Sequence, residues 1–97
     1  MKKDDYFVIC HNILNYLYSK LKDGTTTVEC STLAENTKDT IPYINEYYYL
    51  YVVQGLLDEK YIIAKQIENE ENVGAQITPK GIEYLFTHPM MKQAKEI

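Results

Sequence analysis

The chain has 97 residues, 45% of them hydrophobic and 25% charged, with a formal net charge of −4. That length suits one domain, residues 1–97, built around a single small core. No apolar run approaches the roughly 20 residues a membrane span needs, and two cysteines are too few for a disulfide framework. The basic start is followed by Asp4 and Asp5 and lacks a small-residue cleavage site, so we expect no signal peptide and a cytoplasmic protein with reduced thiols.

Charge is unevenly spread. All ten basic residues are lysines, and residues 1–22 carry a net +2 while residues 23–60 carry −5. Ten tyrosines are present, six of them between positions 43 and 61.

The first predicted element is a helix over 4–22. Phe7, Cys10, Leu14, Leu17 and Leu21 recur at helical spacing, with Tyr6, Ile9, Ile13 and Tyr16 beside them. Asp4 or Asp5 suits its start, and Lys20 and Lys22 its end. Gly24 stops it, and "GTTT" reads as a turn. A second helix is expected over 30–38, with Thr32 and Glu35 at capping-box spacing, although Glu29 or Ser31 also suits the start. A third helix is expected from Pro42 to Glu59. Ile44, Tyr48, Tyr51, Val52 and Leu56 form one face, while Leu50, Val53 and Leu57 lie away from it. A helix so apolar all round is expected to be covered on more than one side.

"YIIAKQI" (61–67) and "VGAQI" (73–77) then read as strands joined by the polar turn "ENEEN". Thr78 and Pro79 suit the cap and first residue of another helix, continued by Ile82, Leu85 and Phe86. His88-Pro89 ends it, and residues 89–97 are expected as a short C-terminal helix or tail. Three helices, a β-hairpin and C-terminal helices give an α+β chain whose order fits a winged helix-turn-helix, in which the third helix can enter a major groove. Other α+β topologies share that order.

"VVQGLLDEKYII", a short hairpin and "ITPKGIEYL" resemble the end of many bacterial winged-helix repressors. Together with "MKKDDYFVI" and "MMKQAKE", they resemble the YjcQ-like family of small winged-helix proteins from Gram-positive bacteria and their phages. That resemblance implies a winged-helix fold and a DNA-binding role, with Lys60 standing where a glycine is expected before Tyr61.

Two functional readings follow. In the first, the chain is a small, prophage-type transcriptional regulator that places helix 42–59 on double-stranded DNA. Lys38, Lys65 and Lys80 are then the candidate phosphate contacts, and Asn45, Tyr49 and Gln54 the candidate base or sugar contacts. Against it stand the absence of arginine, a third helix without a basic residue, and Glu68, Glu70 and Glu71 at the hairpin tip. In the second reading the chain is an acidic protein-interaction module of anti-repressor or DNA-mimic type, with Tyr47 and Tyr49 exposed on the third helix and Tyr48 and Tyr51 in the core. Phe7, Leu14, Leu21, Met90 and Met91 are candidates for a homodimer or partner interface. His11, His88, Cys10 and Cys30 lack catalytic or zinc-ligand spacing, so no enzyme activity, metal or cofactor is expected.

Overall fold

The computed structural model of the chain describes residues 6–67 and 72–95. Asp4 and Asp5 at the start of the first helix, and Glu68, Glu70 and Glu71 in the "ENEEN" turn, therefore lie outside the described residues. The elements are α1 (Tyr6–Lys22), β1 (Val28–Glu29), α2 (Cys30–Thr40), α3 (Glu46–Asp58), β2 (Ile62–Gln66), β3 (Val73–Ile77), α4 (Pro79–Thr87) and α5 (Pro89–Lys95). This is an α+β architecture with a small antiparallel sheet ordered β1-β3-β2.

Helix α1 supplies the centre of the core. Ile9, Ile13 and Leu14 are fully buried, with Cys10 and Leu17 beside them. Each large aliphatic side chain so covered contributes about 1.5–3 kcal/mol. Phe7 and Leu21, at the margins of the expected stripe, are half-buried and pack against this cluster. Leu14 is thus a core residue and not the interface residue expected. The same holds for Met91, which is fully buried on α5, with Ala94 one turn on. The segment after Pro89 is a helix docked on α1 and α4.

The start of α2 is one that the sequence offered, and that of α3 is not. Helix α2 has Glu29 at its cap with no side-chain cap bond, so the Thr32–Glu35 capping box does not form. Pairing of Val28 with Ala75 and Glu29 with Gly74 makes β1, unforeseen in the sequence, and the chain passes from it directly into the helix. Helix α3 starts at Glu46 and not at Pro42. Ile41 is buried, the Ile44 N–H bonds back to its carbonyl, and Pro42 sits in the resulting turn. Asn45 then caps the helix, its Oδ1 accepting from the N–H groups of Tyr47 at 2.8 Å and Tyr48 at 3.2 Å.

The ends of α1 and α3 have the same hydrogen-bond pattern. After α1, Thr25 N–H bonds Lys20 O and Gly24 N–H bonds Leu21 O, with Gly24 at φ 97°. After α3, Tyr61 N–H bonds Leu56 O and Lys60 N–H bonds Leu57 O, with Lys60 at φ 64°. Both are Schellman closures, and the second holds a lysine in the left-handed region that glycine normally fills.

The "TPKG" junction packs onto that turn. Thr78 Oγ1 donates to the Lys60 carbonyl at 2.7 Å, lies 3.1 Å from that of Tyr61, and accepts from Gly81 N–H at 3.0 Å. The Gly81 backbone comes so close that a Cβ there would collide with the Tyr61 carbonyl.

Two stability measurements check this description. Lys60→Gly removes roughly 1–2 kcal/mol of left-handed strain and adds about 0.5–1 kcal/mol of chain entropy, so a net gain of about 0.5–1 kcal/mol is expected in urea unfolding. Gly81→Ala is expected to lose about 1–3 kcal/mol, because the atom it meets is backbone and cannot swing aside. An unchanged melting temperature for Gly81→Ala contradicts the close approach.

Candidate functional site

The register of α3 decides what the molecule shows to solvent. Tyr49, Val52 and Leu56 point into the core. The opposite side therefore presents Tyr47, Leu50 and Tyr51, with Tyr43 just before the helix; these are 81%, 53%, 70% and 92% exposed. Large apolar side chains gathered on one exposed face mark an interaction surface more often than scattered ones do. Expectation and structure part at two tyrosines: Tyr51 is outside the core, and Tyr49 is inside it at 8% exposure.

Beside this face runs a groove between α2, α3 and the sheet. One part, about 300 Å³, is lined by Leu33, Leu50, Val53, Leu57, Ile62 and small residues of the sheet, with Cys30 at its α2 end. A second part, also about 300 Å³, is lined by Glu35, Lys38, Ile44 and Glu46. Ala34 and Tyr49 line both. Leu50, Val53 and Leu57 are the residues that the sequence set apart from the main apolar face. They line an open groove, where cover by another part of the chain was expected.

Most of the candidate DNA contacts have structural work. The oxygen of Asn45 caps α3 and is not aimed at a base. Tyr49 is buried, with its hydroxyl facing the buried Thr37 and pushed up to about 12 by burial, helped by nearby Cys30. Gln54 donates to Asp58 Oδ1 at 2.8 Å. Lys80 Nζ donates to the Glu59 carbonyl at 2.8 Å and lies 5.1 Å from the centre of the Tyr61 ring, so its charge serves the C-terminus of α3. Lys38 and Lys65 are exposed. Of the other interface candidates, Met90 is half-buried and its N–H donates to His88 Nδ1 at 3.2 Å.

A chain of rings ties the far side together. Tyr61 and Tyr84 have centroids 4.1 Å apart, Tyr84 and His88 4.6 Å, His88 and Phe7 5.9 Å, and Phe7 and Tyr6 5.4 Å. The Tyr61–Tyr84 and His88–Phe7 links cross between elements, so the row braces α1, α4 and the α3–β2 turn. Burial pushes the hydroxyls of Tyr6 and Tyr84 up to about 12, and the buried Cys10 thiol likewise, which leaves that thiol a poor nucleophile. Among the described residues no three His, Cys, Asp or Glu side chains gather to hold a metal, and no helix is long and apolar enough to cross a membrane.

These raised values fix an alkaline behaviour. Unfolding returns tyrosine to about 10 and cysteine to about 8.5, so above those values the unfolded chain holds fewer protons than the folded one. Stability is then full below about pH 8.5 and falls as pH rises toward 12, where Tyr6, Tyr49, Tyr84 and Cys10 ionise in the fold. Urea midpoints across that range, read beside tyrosinate absorbance, check it; a flat midpoint contradicts the burial of these groups. Compared with protein-family models, with curated proteins and with solved structures, the chain matches none.

Proposed function

We propose that the chain is a winged-helix domain working as a protein-binding module, with the exposed face of α3 as its contact surface. The element order α1-β1-α2-α3-β2-β3 and the sheet order β1-β3-β2 support the winged-helix reading. The observation that carries the function is the cluster Tyr43, Tyr47, Leu50 and Tyr51, large and exposed on one side of a helix that has no basic residue. Tyrosines supply stiff contact area at low entropic cost and are enriched where binding energy concentrates.

Duplex DNA is the second reading, and one observation favours it: α3 faces outward with Lys38 and Lys65 exposed on neighbouring elements. Two lysines per chain neutralise few phosphates, however, and phosphate neutralisation dominates such affinity.

One experiment separates the readings. The purified chain and its Tyr47→Ser/Tyr51→Ser variant are used as bait in host lysate and, separately, on random duplex DNA at about 50 and 200 mM salt. The expected result is a protein partner whose retention drops at least about tenfold on the variant, with no DNA retained at either salt. DNA retention that falls with salt and vanishes in Lys38→Glu/Lys65→Glu overturns the protein-binding reading.

A further inference from the structure

The groove beside α3 narrows the kind of partner, in an inference that rests on the protein-binding reading above. We propose that the groove between α2, α3 and the sheet receives an amphipathic helix of a partner protein, with its apolar side on the groove floor and a lysine or arginine over Glu35 and Glu46.

Three observations carry this. The first is shape. Ala34, Ala64, Gly74 and Ala75 line the groove, and their small side chains leave the hollow open between the taller Leu50 and Leu57. From Glu46 to Leu57 the wall of α3 runs about 16 Å at a rise of 1.5 Å per residue, which is room for about three turns of a second helix.

The second is hydrogen bonding. The walls are two helices and the floor is the face of the sheet, with β3 in its centre paired on both sides. An extended segment laid over an apolar floor would leave backbone N–H and C=O groups without partners, at a cost of about 1–3 kcal/mol each. A helix brings its backbone bonds with it and offers side chains at i, i+3, i+4 and i+7.

The third is charge. Glu35 and Glu46 stand at the open end with Lys38 as the opposing charge among the lining residues there, and residues 23–60 carry a net −5. A cationic residue placed at that end completes the match, and an acidic one meets repulsion.

The test is selection from random peptides of about 16 residues displayed on phage, long enough for the groove, panned against the full chain. Selected peptides are expected to carry Leu, Ile, Met or Phe at helical spacing with a net positive charge. Their binding is expected to fall at least about tenfold on Ala64→Phe, which fills the groove, and on Glu35→Lys/Glu46→Lys, while Phe86→Ser on α4 leaves it unchanged. Thermal melts of each variant confirm that it folds. Peptides that are acidic or uncharged, or that bind Glu35→Lys/Glu46→Lys equally well, overturn the proposal. So does a dimer of this chain that dissociates in Ala64→Phe, since a second copy then fills the groove. If the lysate partner is lost with Tyr47→Ser/Tyr51→Ser but kept by both groove variants, this inference fails and the protein-binding reading stands. If no variant changes its capture, both fail.

Discussion

The architecture depends on how the chain reverses after α3. Lys60 takes a left-handed conformation, and the carbonyls of Lys60 and Tyr61 then face Thr78 and Gly81 at the start of α4. That single contact sets where β2 begins, how the hairpin returns and at what angle α4 leaves it. The Lys80 ammonium closes the same junction by donating to the carbonyl of Glu59, the C-cap of α3. A helix end, a strand start and a helix start are thereby fixed within one hydrogen-bonded knot, and the ring stack from Tyr61 to Tyr6 carries its position across to α1.

Beyond that knot, α5 begins where His88 accepts from the Met90 N–H, and the helix drops Met91 into the core beside α1. The C-terminal helix is thus part of the packing around α1 and α4. A small chain with a single core has little stability to spare, and burying Met91 and Ala94 extends that core at low cost in length.

At the other end of α3, Asn45 caps the helix, and the side packed on the core carries Tyr49, Val52 and Leu56, which leaves Tyr47, Leu50 and Tyr51 outward. The functional reading follows from this orientation. Side chains that looked available for nucleic acid are polar groups close to helix ends, where unsatisfied backbone groups compete for them. Asn45 goes to the first N–H groups of α3 and Lys80 to the carbonyl of its C-cap, Glu59. What remains exposed on the outer side of α3 is mainly aromatic and apolar, with Lys38 and Lys65 exposed on neighbouring elements.

Periodicity and turn chemistry, read along the chain, determined the α1 stripe, the two hairpin strands, the Thr78-Pro79 helix start and the break at His88-Pro89. Each of these is a local preference that the packing repeats. That Lys60 stands where a glycine is expected before Tyr61 came from the family resemblance, and its left-handed conformation is seen only in the structure. Only the tertiary structure decided the rest. A strand of two residues, Val28–Glu29, has no periodicity of its own and exists through pairing with β3. The wheel of α3 was ambiguous because apolar residues surround it, and packing against the core, which took Tyr49, Val52 and Leu56, chose which tyrosines point outward. The groove was invisible for the same reason: an apolar side is covered or open according to what the fold brings against it, and the sequence of the helix alone does not carry that information.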